Sequence, residues 1–157
     1  MEALMVSPEL LRRFSLFAGL DAGAFKSLAM AGEEITLKAG DWLFREGDEA
    51  DALYLILSGS LDLTINLDKE GSRQADLCTL VEGDAVGWSA LVEPHTYKLG
   101  AVAASDARLI RLDADQLRDL MVSRPEVGYM LMHRIAQVIG NRLNNLRIRF
   151  VSLIETA

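Results

Sequence analysis

The segment Gly87-Trp88-Ser89-Ala90-Leu91 is the part of this sequence whose residue types and spacing come closest to a reactive motif. It differs at one position from the G-x-S-x-G turn, which exposes a nucleophilic serine between a strand and a helix in α/β-hydrolases. Leu91 replaces the second glycine, and no alternation of strands and helices is predicted around the segment. We therefore do not predict a hydrolase or any other enzyme.

The histidines and the cysteine are the other candidates for chemistry. His95 stands next to Pro94, which is typical of a surface loop tip rather than of a general base or a haem ligand. His133 falls in a predicted helix, where we expect a surface or interface residue. Cys78 has no basic neighbour in the sequence that would activate its thiol, so we expect a structural role. Two distant histidines and one cysteine predict no catalytic residue and no metal site.

Composition and charge restrict the partners and the compartment. The chain has 157 residues, and 16 Lys plus Arg against 23 Asp plus Glu give a net charge of −7. Phosphate backbones and anionic lipid would repel such a protein, so we expect no direct DNA binding and no membrane association. A single cysteine forms no internal disulfide, and no signal peptide or membrane span is evident. These features predict one domain in a reducing cytoplasm.

The middle of the chain has the pattern of short antiparallel strands. Leu61–Leu67 alternates apolar and polar residues, and Asp68–Ser72 has the composition of a turn between that strand and the next. The other predicted strands lie in three stretches, namely Leu53–Leu57, Ala75–Val81 and a pair within Leu99–Leu112. Turn glycines recur about every dozen residues, at Gly40, Gly47, Gly59, Gly71 and Gly83. This spacing predicts a barrel or a sandwich.

Both ends of the chain have helix-start signals. Ser7 before Pro8, Asp21 before Ala22–Ala31 and Asp113 before Ala114–Val122 are suitable N-cap residues. The expected fold is therefore mainly β with flanking helices (α+β): an antiparallel β-roll or jelly roll over 33–112, N-terminal helices within 7–31, and a hinge with a long C-terminal helix over 113–154. We expect a single domain, 1–157.

The predicted final helix begins at Pro125 and carries an apolar stripe. A helix of about 30 residues is ~45 Å long, which is more than a small barrel covers. Four leucines and phenylalanines with heptad-like spacing therefore predict a homodimer interface, namely Leu143, Leu146, Phe150 and Leu153. From Arg124 onward there are five arginines and two glutamates, a local charge of +3 against −10 elsewhere. The basic residues predict either a solvated face or a contact with an acidic partner protein.

The stretch from Lys38 to Leu61, KAGDWLFREGDEADALYLILSGSL, resembles the barrel signature of the cyclic nucleotide-binding domain family. The resemblance covers nearly the whole chain, because that family also has N-terminal helices, a β-roll, a hinge and a long C-terminal helix. It implies a regulatory, non-enzymatic domain. It also implies a ligand site, the phosphate-binding cassette, at 83–103 with Gly87, Ser89, Ala90 and Leu91 in its short helix.

Three residues depart from the family's cassette. Trp88 stands where a ribose-binding glutamate is expected, and an indole accepts no hydrogen bond. Lys98 replaces the phosphate-binding arginine. It keeps the positive charge but lacks the planar guanidinium group that makes bidentate contacts with a phosphate. Leu99 stands where a small hydroxyl residue is common. The ligand-binding set is therefore Gly87, Trp88, Ser89, Ala90, Leu91, Lys98 and Leu99, and the ligand is a cyclic nucleotide or another small anion.

Two functions follow from these features. The first is a sensor of the cyclic nucleotide-binding type that has no helix-turn-helix and signals ligand occupancy through its C-terminal helix. The second is a dimeric interaction module with a degenerate cassette, which binds another protein through the basic helix and needs no ligand. Trp88 and Leu99 favour the second function, whereas Ser89 and Lys98 favour the first.

Overall fold

The computed structural model describes residues 4–156, and its N-terminal segment packs three short helices beside the first strand. Residues 1–3 and Ala157 of the predicted domain lie outside the described residues. The elements are β1 (Leu4–Met5), α1 (Pro8–Leu11), a 3-10 helix (Ser15–Phe17) and α2 (Ala22–Met30). The predicted caps are confirmed, since Ser7 Oγ accepts from the Leu10 amide at 3.2 Å and Asp21 Oδ1 from the Ala24 amide at 2.8 Å.

Eight further strands form the β-roll. They are β2 (Gly32–Leu37), β3 (Trp42–Phe44), β4 (Ala52–Ser58), β5 (Leu61–Asn66), β6 (Gln74–Leu80), β7 (Ala85–Val86), β8 (Gly100–Ala103) and β9 (Ala107–Asp113). All pairings are antiparallel, and they produce two sheets, β1-β2-β9-β4-β7 and β3-β8-β5-β6. The predicted strand starts and ends differ from these by one or two residues. The fold class predicted from the sequence is confirmed.

Strand β4 explains why its sequence is apolar without alternation. It lies between β9 and β7 in the five-stranded sheet, and both of its faces are covered. Leu53, Leu55 and Leu57 belong to a cluster with the helices, which we call the helix-side core. Tyr54 and Ile56 point to the opposite face and belong to the roll core inside the two sheets. Burial of each such large side chain contributes about 1.5–3 kcal/mol to folding.

Two helices follow the roll. Asp113 accepts from the Gln116 amide at 3.0 Å and caps α3 (Ala114–Ser123), as predicted. Helix α4 (Pro125–Glu155) has 31 residues and is therefore about 46 Å long. Its first half packs on the helix-side core through Val127, Leu131 and Ile135. No helix among residues 4–156 is long and apolar enough to cross a membrane.

Candidate functional site

The cassette turn, Gly87–Leu91, follows β7 directly. It consists of Gly87 and a short 3-10 helix (Trp88–Leu91). Gly87 has φ = +90°, a left-handed conformation that disfavours residues with a Cβ atom. A Cβ atom at this position would lie 3.1 Å from both the Ala52 carbonyl oxygen and Tyr97 Cε1. The turn therefore requires glycine for both its conformation and its close packing.

Tyr97 holds the loop that follows the cassette turn against β4. Its hydroxyl donates to the buried Ala52 carbonyl oxygen at 2.6 Å, and its ring stacks on Phe44 at 3.7 Å between centroids. Burial raises the pKa of Tyr97, which keeps the hydroxyl protonated as a donor. Sequence reasoning missed this residue, although an aromatic side chain directly before Lys98 was a usable signal. Tyr97 fixes the distance between the cassette turn and Lys98.

A cavity of about 90 Å³, the cassette cavity, lies between these elements. Five of the seven residues predicted to bind ligand line it, namely Gly87, Trp88, Ser89, Lys98 and Leu99. The side chains of Ala90 and Leu91 do not, because they are buried in the roll core and the helix-side core respectively. Ligand pockets for small organic molecules usually measure about 300–1,000 Å³. The cavity is therefore smaller than a cyclic nucleotide needs.

The polar groups at the cavity include backbone amides, the Ser89 hydroxyl and the Lys98 ammonium group. Within residues 4–156, the amides of Trp88 and Ser89 have no acceptor, whereas the Ala90 amide is bonded to the Gly87 carbonyl at 3.0 Å. Lys98 is exposed and has no ion-pair partner in that range. Trp88 is half-buried and packs against the helix-side core. The backbone amides and Lys98 are donors, whereas the Ser89 hydroxyl at the cavity can donate or accept.

Arg142 of α4 is the site residue that the sequence did not indicate. Its Nη2 donates to the carbonyl oxygen of Ala85 in β7, two residues before Gly87, and its side chain lines the cassette cavity. Burial lowers the pKa of Arg142, and no carboxylate in residues 4–156 pairs with it. Only the docking of α4 on the roll distinguishes this arginine from the exposed Arg147 on the same helix.

A larger space of about 630 Å³, the helix–roll groove, separates α4 from the outer side of β6 and from the N-terminal 3-10 helix. Three arginines, Arg134, Arg142 and Arg149, line it, and each donates to backbone carbonyl groups. Cys78 also lines the groove, and burial raises the pKa of its thiol, which makes it a poor nucleophile, as expected for a structural thiol. No metal-binding cluster occurs in the part of the chain that the structure describes.

His95 and His133 occupy different environments. His133 is exposed and stacks on Tyr129, in agreement with the expectation of a surface residue. His95 lies in the predicted loop but is half-buried instead of standing free, because the Arg118 guanidinium of α3 packs on it with Nη1 2.9 Å from Nδ1. Arg118 in turn is paired with Asp115 at 2.7 Å, so His95 belongs to a cluster of side chains at the start of α3.

The four residues predicted to form a dimer interface do not share one environment. Leu143, Phe150 and Leu153 are more than half exposed, with 57%, 65% and 69% of their surface accessible. Leu146 is half-buried and lines the helix–roll groove. Ile148, Val151 and Ile154 are also exposed, so large apolar side chains are accessible along most of the last two turns of α4.

Residues 34–124, more than half of the chain, match the model of the cyclic nucleotide-binding domain. The chain belongs to this family. The structure is similar to that of a protein of Geobacter metallireducens GS-15 assigned to the cyclic nucleotide-binding proteins, with a TM-score of 0.80, 30% identity and coverage of 88% of this chain and 99% of that chain. The resemblance inferred from residues 38–61 is thereby confirmed.

Two curated relatives show where such domains occur. The chain is 27% identical over 138 residues to a CRP-like cAMP-activated global transcriptional regulator of Mycobacterium tuberculosis, covering 88% of this chain and 61% of the regulator. It is 30% identical over 126 residues to the Pycsar effector protein BcPycTIR of Burkholderia cepacia, covering 80% of this chain and 38% of that protein. The chain thus spans less than two thirds of these relatives. Domains of this family are regulatory and not catalytic.

Proposed function

We propose that this chain is a non-enzymatic sensor that binds a small anionic ligand of the cyclic nucleotide type at the cassette cavity and signals its occupancy through α4. One observation carries the proposal: Gly87, Trp88, Ser89, Lys98 and Leu99 line a single cavity in a fold of the cyclic nucleotide-binding family. The Mycobacterium tuberculosis relative is a cAMP-activated regulator, which supports the class of ligand.

The charges at the cavity favour an anion. Two backbone amides at the start of the 3-10 helix and the Lys98 ammonium group are all donors. A hydrogen bond to a charged group is worth about 1.5–3 kcal/mol. The phosphate of the ligand would lie against Gly87–Ser89, with Lys98 as its counter-charge.

The same residues disfavour tight binding of cAMP and cGMP. Trp88 offers no acceptor for the ribose hydroxyl, and Lys98 makes no bidentate contact with a phosphate. Loss or weakening of two charge-assisted contacts reduces affinity by a few decades. The preferred ligand is therefore one whose sugar or ring tolerates an indole beside the cassette turn.

Signal transmission would use the contact between the cassette and α4. A ligand shifts the position of a helix only if it binds more tightly to one of the two positions. Arg142 connects the cavity with the helix, since its backbone belongs to α4 and its side chain lines the cavity. Occupancy of the cavity would thereby change the exposure of the apolar end of α4.

A thermal-shift series with the four 3′,5′-cyclic nucleotides tests the proposal. A ligand at 100 times its Kd stabilises a protein by about 2.7 kcal/mol, which is roughly 5–11 °C in Tm for a chain of this size. We expect one nucleotide to give such a shift, shifts below about 2 °C for cAMP and cGMP at sub-millimolar concentration, and a Kd at least ~10-fold weaker in Lys98→Ala. Lys26→Ala, an exposed lysine on α2, is the matched control.

A double variant keeps the test decisive if none of the four nucleotides is the preferred ligand of the native protein. Trp88→Glu combined with Lys98→Arg restores the family's side chains and should give a clear shift with cAMP if the backbone of the turn is competent. No shift with any nucleotide, in either the native protein or a double variant with an unchanged circular dichroism spectrum, would overturn the proposal.

The second function, a dimeric module that needs no ligand, is favoured by the exposed apolar residues at the end of α4. We propose in either case that two copies associate through this part of the helix, and that the basic residues of α4 contact an acidic protein partner. Direct binding to DNA or membrane is not part of the proposal, because the net charge of −7 opposes both. The single cysteine is consistent with a reducing cytoplasm as the site of action.

A further inference from the structure

Arg142 is a half-buried cation whose partner among residues 4–156 is a neutral group. Within the part of the chain that the structure describes, its hydrogen bond goes to the Ala85 carbonyl oxygen, and Asp84, the acidic residue that lines the groove, makes no ion pair with it. A guanidinium group removed from water is stabilised far better by an anion than by a peptide carbonyl, because charge-assisted hydrogen bonds are roughly twice as strong as neutral ones. This arginine therefore has an unmet preference for a negative charge.

The Arg142 side chain lies where a negative charge could reach it from the cassette cavity. Arg142 lines both the cassette cavity of about 90 Å³ and the helix–roll groove of about 630 Å³. Its bond to Ala85, two residues before Gly87, holds the side chain where it lines both spaces. In this position the side chain contributes to the small volume of the cassette cavity.

We propose that Arg142 is a switchable anion-binding residue, which closes the cassette cavity while bound to the Ala85 carbonyl and transfers its guanidinium to the ligand's anion when a ligand enters. The inference rests on the proposed function, since it requires an anionic ligand at this site. Arg142 would supply the forked cation that Lys98 does not provide. Movement of the side chain also opens the cavity toward the groove, which gives the ligand the volume that it needs.

The transfer connects binding with the position of α4. Arg149, two turns further along, donates to the Leu77 carbonyl oxygen in β6 and forms a second contact of the same type. Release of Arg142 from Ala85 leaves Arg149 as the main polar contact between the last turns of α4 and the roll. The apolar end of the helix then moves relative to the roll, and its exposure to a partner changes.

Arg142→Gln and Arg147→Gln are a matched pair for the test. Both changes remove one charge from α4, but Arg147 is exposed and makes no side-chain hydrogen bond or ion pair with residues 4–156. In the ligand-free protein, hydrogen–deuterium exchange in residues 142–155 should be at least ~10-fold faster in Arg142→Gln, while Arg147→Gln should resemble the native protein. Equal exchange in the two variants would show that Arg142 does not hold the helix and would overturn this half of the inference.

The second half is measured by NMR titration with millimolar cAMP, which detects weak binding. In the native protein the Nε–H resonance of Arg142 should shift together with the amides of Trp88 and Ser89. Arg142→Gln should weaken Kd at least ~10-fold and Arg147→Gln should not, while Arg142→Lys should recover only part of the affinity.

The outcomes separate this inference from the proposed function. If the cassette amides shift but Arg142 does not, and Kd is unchanged in Arg142→Gln, the inference is wrong and the proposed function stands. If no cassette amide shifts with any of the four 3′,5′-cyclic nucleotides, in the native protein or in the double variant Trp88→Glu/Lys98→Arg, both the proposed function and the anion transfer are wrong. Loss of the fold in Arg142→Gln, checked by circular dichroism, leaves Arg142→Lys to decide, and an unchanged Kd there would contradict the need for a forked cation.

Discussion

The guanidinium of Arg124 donates two hydrogen bonds to the carboxylate of Asp21, at 2.8 and 2.6 Å, and joins the start of α2 to the junction between α3 and α4. Asp21 also caps α2, and Arg124 also contacts Glu126 at 2.8 Å. The hinge between the roll and the long helix is therefore anchored to the N-terminal helices, so that α4 has a fixed base and a free end.

The Arg124 guanidinium holds the pKa of Asp21 well below its usual range, which predicts a specific acid sensitivity. Because the native pKa is below the unfolded value of about 3.9, the contribution to the unfolding free energy is complete above that value and is lost as pH falls through the native pKa. Asp21→Asn keeps a capping oxygen but removes the charge. Its Tm should be lower at pH 7, and its fall in Tm between pH 5 and pH 2 should be smaller than in the native protein.

Thermal unfolding followed by circular dichroism from pH 2 to pH 7 measures this difference. Asp119→Asn is the control, because Asp119 is exposed on α3 and makes no ion pair within residues 4–156. Curves of Tm against pH that run parallel for the native protein and Asp21→Asn would show that the Asp21–Arg124 ion pair does not contribute to the pH dependence of stability.

Gly87→Ala should destabilise the protein because of the left-handed backbone and the contacts at 3.1 Å. A non-glycine residue in this conformation loses roughly 1–2 kcal/mol, or at least about 2 °C in Tm at this chain length. Gly140→Ala is the matched control, since a Cβ atom there meets nothing within 4 Å on an exposed part of α4. That control should raise stability by about 0.5–1 kcal/mol. Equal effects of the two changes would contradict the conformational argument.

Tyr97→Phe tests the bond that fixes the loop beside the cassette. The change leaves the buried Ala52 carbonyl without its side-chain donor, and an unsatisfied buried group costs about 1–3 kcal/mol. Chemical denaturation should show this loss, and amide exchange in residues 92–99 should become faster. Tyr129→Phe, with a ring 72% exposed, should change neither measurement. A stable Tyr97→Phe with unchanged exchange would mean that stacking on Phe44 alone holds the loop.

Phe150→Asp tests the proposed association of two copies. Phe150 is 65% exposed on the free end of α4, so the charge should be tolerated in a monomer and unfavourable in an apolar interface. Sedimentation velocity should show a dimer for the native protein at tens of micromolar and a folded monomer for the variant. Met30→Asp changes an exposed methionine on α2 and should remain dimeric. A native protein that sediments as a monomer at these concentrations would contradict the interface.

Much of the fold was predictable because its signals are local. The caps Ser7, Asp21 and Asp113 each bond an amide three residues ahead, and this spacing is visible in the sequence. The β5–β6 hairpin was predictable for the same reason, since Asp68 accepts from the Ser72 amide within the turn. Strand ends were off by one or two residues because pairing partners, and not composition, decide where a strand stops.

The site was predictable only where its residues lie close together in the sequence. Gly87, Ser89 and Lys98 belong to one continuous segment, and the structure brings them to one cavity. Arg142 lies more than forty residues away, and its role depends on how α4 docks on the roll. Leu146 shows the same limit, because heptad spacing does not reveal that one member of a stripe lies in a groove against its own domain.

The carbonyl groups that Arg142 and Arg149 engage belong to sheet edges. Strand β7 ends the five-stranded sheet and β6 ends the four-stranded sheet, so among the residues that the structure describes each has one side without a strand partner. Such edges are templates for pairing with other chains, and charged side chains laid over them are a common protection against aggregation. A displacement of α4 that withdraws both arginines would uncover two edges at once. The signalling state of this domain would therefore be its least soluble state, which limits how long and at what concentration that state can persist without a partner.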